Sequence, residues 1–116
     1  MSWLSQRIRS FTHAFRGIGV LLCETHARVH LLATALVLAL AWGLDITRTD
    51  WQALLLTVVV VWLAEGMNTA LELACDAAVP EQHPLIGKAK DVAAGTVLIA
   101  AMFALVMGAV IFLPYL

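Results

Sequence analysis

The sequence predicts an all-α membrane protein with an N-terminal amphipathic surface helix followed by three transmembrane helices. Hydrophobic residues make up 62% of the 116 positions and charged residues only 13%, which is too apolar for a soluble domain of this size. Residues 92–113 contain no charge, and at about 1.5 Å per residue this run covers a hydrocarbon core of about 30 Å. The chain has seven basic and eight acidic residues, so its charge does not indicate a nucleic-acid-binding protein. The length predicts a single domain, 1–116.

The elements follow in chain order. The surface helix is expected at about 3–26, because apolar residues recur there at helical spacing while the arginines at 7, 9 and 16 fall elsewhere. Transmembrane spans are expected at about 29–44, 51–78 and 91–113. The break between the first two spans contains Gly43 and Asp50, and the break between the last two contains Pro80 and Pro84.

Basic residues are distributed unevenly between the two sides of the membrane. The turn between the first and second spans contains only Arg48. The segments before the first span and between the second and third spans contain six basic residues: Arg7, Arg9, Arg16, Arg28, Lys88 and Lys90. Positive residues are retained on the inner side, so the N-terminus and the loop near residue 81 are expected to be cytoplasmic.

A polar row on the middle span is the clearest functional signal. Glu65, Asn68, Glu72 and Asp76 follow one another at spacings of 3, 4 and 4, which stacks them on one helix face. Each intramembrane carboxylate costs roughly 2.5–3.5 kcal/mol on insertion scales. One interpretation is a polar network that fixes the helix register. The other is a divalent cation such as Mg²⁺, which binds one or two carboxylates and leaves positions for phosphate oxygens.

The loop after the polar row has the character of a phosphate site. No glycine lies five positions before Gly87-Lys88, and Ala89 replaces the Ser or Thr of a phosphate-binding loop, so that class of kinase is excluded. Lys90, Asp91 and the start of the third span could still neutralise a phosphate. Lys88 is explained as readily by anchoring at the inner surface. Three spans form a thin bundle, which predicts a homo-oligomer whose subunits cover each other's polar faces.

Two sequence blocks resemble the prokaryotic diacylglycerol kinase family, which includes undecaprenol kinases. The first block runs from Glu65 to Glu72 as E-G-M-N-T-A-L-E and is followed by Asp76; the second contains A-K-D at 89–91. The resemblance extends upstream to Glu24 and Arg28. It implies a homotrimeric kinase of the bacterial inner membrane that transfers the γ-phosphoryl group of MgATP to a lipid hydroxyl at the cytoplasmic face.

The resemblance also implies roles for individual residues. Glu65 matches the family's proposed general base, and Asn68 matches an amide that orients the catalytic groups. Two carboxylates, Glu24 and Glu72, match the family's metal ligands. The loop that contacts the nucleotide contains Glu81, Gln82 and His83. The pair beside the ATP phosphates is Lys90 and Asp91. Mg²⁺ is the expected cofactor and ATP the co-substrate.

The acceptor expected first is diacylglycerol, with undecaprenol as the alternative. A different class of function is a non-catalytic helical scaffold or an ion-conducting assembly, in which the carboxylates serve packing or cation passage. The cytoplasmic loop separates the classes, because a scaffold does not need Glu81, His83, Lys90 and Asp91 together.

Overall fold

The computed structural model describes residues 2–116, which are helical except at the connections and contain no strand. Four α-helices follow one another, and a short 3₁₀ helix, Leu113–Tyr115, ends the chain: α1 Trp3–Leu22, α2 Thr25–Leu44, α3 Arg48–Ala78 and α4 Pro84–Phe112. Three helical segments are long and apolar enough to cross a membrane: Thr25–Leu44, Arg48–Ala78 and Pro84–Tyr115. The all-helical class and the three spans expected from the sequence are therefore confirmed.

The helix boundaries differ from the expected ones in two informative places. Helix α1 ends at Leu22 rather than at 26, and α2 begins at Thr25 rather than at 29. The four added residues make α2 about 30 Å long, sufficient for a bilayer core. Helix α4 begins at Pro84, seven residues before the expected start, so Lys90 and Asp91 lie in its second turn. Proline is well suited to this first helical position, because its missing N–H would have no partner there.

The chain forms two compact units, of which the first ends at Ala33 and the second comprises Thr34–Leu116. The first unit contains α1 and the beginning of α2. Ser2 caps α1, since its side-chain oxygen accepts a hydrogen bond from the Ser5 N–H at 3.2 Å. No residue of α1 is buried.

The apolar core of the second unit lies at the end of α3 that is remote from the polar row. Ala41, Ile46, Leu54, Ile111 and Phe112 form this cluster, which joins α2, α3 and α4. Because the small side chain of Ala41 is fully buried, the helices can approach closely there. The core therefore fixes the end of the unit that is remote from the polar row.

A hydrogen-bonded clasp closes the same end. The Tyr115 hydroxyl donates to Asp50 Oδ2 at 2.6 Å and accepts from the Thr47 N–H at 3.0 Å. Thr47 is also the N-cap of α3, because its hydroxyl oxygen accepts from the Asp50 N–H. The preceding Asp45 has φ 53°, a left-handed conformation that short polar side chains tolerate and that ends α2. The clasp thus ties the C-terminus to the start of α3.

Candidate active site

The polar half of α3 changes from buried to exposed toward its C-terminus. Glu65 is 3% exposed, Asn68 is half-buried, and Glu72 is exposed. The Asp76 side chain is 65% exposed. The 3- and 4-residue steps keep these side chains on one helix face, and each residue advances about 1.5 Å along the axis. The row therefore runs from a buried carboxylate to an accessible one.

Asn68 and Glu72 form a polar pair with one open acceptor. Asn68 Nδ2 donates to Glu72 Oε1 at 3.3 Å. The opposite amide orientation would face a carbonyl oxygen toward the carboxylate, so the hydrogen bond determines which amide atom lies where. Asn68 Oδ1 is buried and has no hydrogen-bond partner. A buried acceptor without a partner is unusual in a folded protein, and it would be satisfied by a cation or by a hydroxyl donor.

The connection between α3 and α4 is short and fixed at its second end. Helix α3 ends at Ala78 with Val79 as its C-cap, followed by Pro80, which cannot continue the helix. His83 is the N-cap of α4, and its Nδ1 accepts a hydrogen bond from the Leu85 N–H at 3.1 Å. An accepting Nδ1 carries no hydrogen, so the neutral ring presents Nε2–H as a donor. His83 therefore both starts the helix and offers one donor.

A cleft of about 570 Å³ lies between this connection and the two helices. Its lining consists of the end of α3, the connection and the first two turns of α4: Asp76, Val79, Pro80, Glu81, Gln82, His83, Pro84, Ile86, Gly87 and Lys90. The Lys90 ammonium gives the cleft a charged donor for an anion. The first N–H groups of α4 contribute little, because Pro84 has none and those of Leu85 and Gly87 donate to His83.

Lys90 and Asp76 form an ion pair across the cleft wall. Lys90 Nζ lies 2.5 Å from Asp76 Oδ1, and the Lys90 side chain is 37% exposed. The pair joins α3 to α4 and holds the ammonium at the cleft. An ammonium has three donors, so two remain for another ligand while Asp76 holds the third.

The structure brings together some of the sequence-predicted residues and not others. Four of them line the cleft: Glu81, Gln82, His83 and Lys90. Asp91 is exposed on α4 and does not line it, and Glu24 belongs to the first unit. Residues 2–116 contain no group of three or more His, Cys, Asp or Glu side chains placed to hold a metal. Asp76 had no assigned role in the sequence, although its place in the polar row was the signal for one.

Comparison with known proteins identifies the family of the chain. The family model for prokaryotic diacylglycerol kinase matches residues 12–112. The chain belongs to the prokaryotic diacylglycerol kinase family. It is 33% identical to the undecaprenol kinase of Bacillus subtilis (strain 168) over 97% of its length and 93% of that protein. It is 35% identical to the diacylglycerol kinase of Synechocystis sp., covering 90% of this chain and 61% of that protein. It is 32% identical to the diacylglycerol kinase of Escherichia coli (strain K12), covering 72% of this chain and 68% of that protein.

Family membership confirms the resemblance seen in the two sequence blocks and identifies the protein as a lipid kinase. A kinase of this family uses ATP and a lipid alcohol. The three long apolar helices indicate a multi-pass membrane protein, which agrees with the family.

Proposed function

We propose that the protein transfers the γ-phosphoryl group of MgATP to the hydroxyl of diacylglycerol, giving phosphatidic acid, at the cytoplasmic face of the bacterial inner membrane. The observation that carries the proposal is the cleft in which Asp76 holds the Lys90 ammonium beside the 79–83 connection. The excess of basic residues on the same side of the spans supports the orientation.

The cleft is the proposed nucleotide site. Lys90 directs its two remaining donors to phosphate oxygens, and His83, which also lines the cleft, contributes Nε2–H. Glu81 and Gln82 contact the rest of the nucleotide, as the family resemblance implies. Asp91 is the second residue that the family resemblance implies beside the phosphates, although it lies on α4 outside the lining of the cleft. Phosphoryl transfer depends mainly on positioning and charge neutralisation, and the Lys90 ammonium, held by Asp76, supports both.

The Asn68–Glu72 pair fits a magnesium ion. Mg²⁺ prefers oxygen ligands and accepts one or two carboxylates, and this pair offers the exposed Glu72 carboxylate next to the unsatisfied Asn68 Oδ1. When bound, Mg²⁺ would neutralise phosphate charge and align the transferred group. Glu24 is the second proposed metal-coordinating carboxylate.

Glu65 is the proposed general base. In the reaction the lipid hydroxyl oxygen bonds to the γ-phosphorus, the bond to ADP breaks, and Glu65 accepts the hydroxyl proton. Glu65 is the residue of the polar row farthest along α3 from the cleft, which supports a role toward the lipid rather than toward the nucleotide. Glu65 precedes Asp76 by eleven residues, or about 16 Å along α3. Such a separation within one chain supports an active site shared between subunits of a homotrimer.

Undecaprenol is a second candidate acceptor. It is favoured by the Bacillus subtilis undecaprenol kinase, which matches 97% of this chain and is itself covered over 93% of its length. Both lipids present a primary hydroxyl on a long apolar body, so the cleft and the polar row serve either one.

A phosphorylation assay on purified protein tests the proposal. Radiolabelled ATP with Mg²⁺ is offered with diacylglycerol and, separately, with undecaprenol in detergent micelles. We expect the protein to phosphorylate diacylglycerol, giving labelled phosphatidic acid, faster than it phosphorylates undecaprenol. A higher rate with undecaprenol would identify undecaprenol as the preferred substrate instead. No labelled lipid from either acceptor would contradict the proposed acceptors.

Two lysines on α4 provide a matched pair of variants. Lys90→Met removes the ammonium from the cleft, and we expect kcat/KM for ATP to fall about 10²- to 10³-fold, as when other charge-stabilising donors are removed. Lys88→Met makes the same change two residues away, on a side chain that is exposed and does not line the cleft. Its kcat/KM should remain within about twofold. Equal losses in the two variants would contradict the assignment of the cleft.

A further inference from the structure

Trp62 lies near the middle of α3, away from the positions that tryptophan favours in membrane proteins. It follows the first residue of α3 by fourteen positions, or about 21 Å along the axis, and precedes the last by sixteen. Membrane tryptophans are enriched at the two interfaces with water, a preference that accounts for Trp51 in the first turn of α3. An indole in the middle of a span needs a partner for its N–H, because the surroundings are apolar.

The indole N–H of Trp62 finds its partner on the neighbouring helix. Trp62 Nε1 donates a hydrogen bond to Thr34 Oγ1 on α2 at 3.0 Å, and both side chains are half-buried. Within the second unit, α3 packs closely along α4 and less closely against α2. The long side chain of Trp62 therefore bridges the wider gap. Because water is scarce in the bilayer core and cannot replace this bond, the bond limits how far α3 rotates or slides against α2.

Trp62 is also a neighbour of Glu65, the proposed general base. The two residues are three positions apart, so their side chains share one face of α3 and are separated by about 4.5 Å along the axis. Both extend from one continuous helix, so a rotation of α3 that breaks the Trp62–Thr34 bond turns the Glu65 carboxylate by the same angle. The bond is therefore placed to fix the direction of this carboxylate.

We propose that Trp62 is a positioning residue for phosphoryl transfer, because its hydrogen bond to Thr34 holds the Glu65 carboxylate in the orientation that receives the lipid proton. This inference rests on the proposed function, in which Glu65 is the base. A base must lie within hydrogen-bond distance of its proton donor, and a displacement of about 1 Å can lower a rate about a hundredfold. The nucleotide cleft begins at Asp76, about 21 Å farther along α3, so loss of the bond lowers kcat without changing KM for ATP.

Initial-rate kinetics of four purified variants provide the test, with whichever acceptor, diacylglycerol or undecaprenol, the parent phosphorylates faster. Trp62→Phe removes the N–H and keeps an aromatic ring, whereas Thr34→Val removes the hydroxyl and keeps the shape. Each should lower kcat about ten- to a hundredfold and leave KM for ATP within about twofold of the parent. The double variant should lose no more than either single variant, because both changes delete the same bond. Thr34→Ser keeps the hydroxyl and should keep kcat within about threefold of the parent.

Two comparisons separate positioning from packing. Thr57→Val makes the same change at a buried threonine of α3 whose hydroxyl donates to Ala53 O of its own helix at 2.8 Å, and it should keep kcat within about twofold of the parent. In the Glu65→Gln background, Trp62→Phe should lower kcat less than about twofold, since the group that it positions is already gone. All rates are divided by the number of saturable sites for a nonhydrolysable ATP analogue, which removes the contribution of misfolded protein.

The possible results distinguish this inference from the proposed function. An active parent with unchanged kcat in Trp62→Phe and Thr34→Val would overturn the inference alone. A loss in Trp62→Phe that is equally large in the Glu65→Gln background would also overturn it, and so would a loss in Thr57→Val as large as that in Thr34→Val. A parent that phosphorylates neither lipid would overturn the proposed function and the inference with it.

Discussion

Replacing Glu65 by glutamine separates a catalytic role from a packing role at one buried position. The side chain is only 3% exposed, so Glu65→Ala would leave a cavity and could reduce activity through misfolding alone. Glutamine has nearly the same size and keeps a polar oxygen, but it cannot accept a proton at neutral pH. We therefore expect assembly to be retained and turnover to be lost.

The size of the loss follows from the role assigned to Glu65. A positioned general base typically contributes about 10²- to 10⁴-fold, so kcat should fall by that factor, or about 3–5 kcal/mol in activation free energy. The nucleotide cleft lies about 16 Å farther along α3, so KM for ATP should change little. The assay is initial-rate kinetics on purified protein with ATP and lipid varied separately.

Asp50→Asn is the matched control, because it makes the same carboxylate-to-amide change at the other end of α3. Asp50 accepts from Tyr115 in the clasp, and it precedes Glu65 by about 22 Å along the helix. Its kcat should remain near that of the parent protein while its thermal stability falls. A Glu65→Gln variant with kcat within tenfold of the parent, or an equal kcat loss in Asp50→Asn, would refute the base assignment.

Three further predictions concern other contacts in the structure. Tyr115→Phe removes the hydroxyl that joins the C-terminus to α3, and it should lower the free energy of unfolding in detergent by about 1–3 kcal/mol without changing kcat; an unchanged unfolding midpoint would contradict the clasp. Asn68→Leu removes the unsatisfied oxygen beside Glu72, and it should raise the Mg²⁺ concentration for half-maximal activity by about tenfold or more; an unaltered Mg²⁺ dependence would exclude Asn68 from the metal site. Asp76→Asn weakens the hold on Lys90, and it should lower kcat/KM for ATP by about ten- to a hundredfold with an unchanged KM for the lipid; a change confined to the lipid KM would place Asp76 elsewhere in the reaction.

The helices could be predicted from the sequence because apolar length and charge distribution determine where a chain can cross a bilayer. The end of α3 at Ala78 was predicted from the prolines that follow it. The third span was expected at about 91–113, and the helix that contains it begins earlier, at Pro84, so Lys88, Lys90 and Asp91 are helical rather than part of the loop. His83 is the N-cap of α4 and Pro84 occupies its first position, and these two residues determine where the helix begins.

The site was only partly predictable for a related reason. Helical spacing placed Glu65, Asn68 and Glu72 on one face without any knowledge of the fold. The Asp76–Lys90 pair joins residues fourteen positions apart across a helix connection, and its formation depends on the angle between α3 and α4. Arg7 was expected to lie away from the apolar residues of α1, whereas its guanidinium lies 5.3 Å from the centroid of the Trp3 ring. The four-residue spacing from Trp3 already predicts this contact without any tertiary information.

Binding of magnesium nucleotide to the purified protein tests the central claim most directly. A nonhydrolysable ATP analogue is titrated with and without Mg²⁺ by equilibrium dialysis, using the parent protein, Lys90→Met and Lys88→Met. The account predicts saturable, Mg²⁺-dependent uptake by the parent and by Lys88→Met, and greatly weakened uptake by Lys90→Met. No saturable uptake by the parent, or equal uptake by all three proteins, would contradict it.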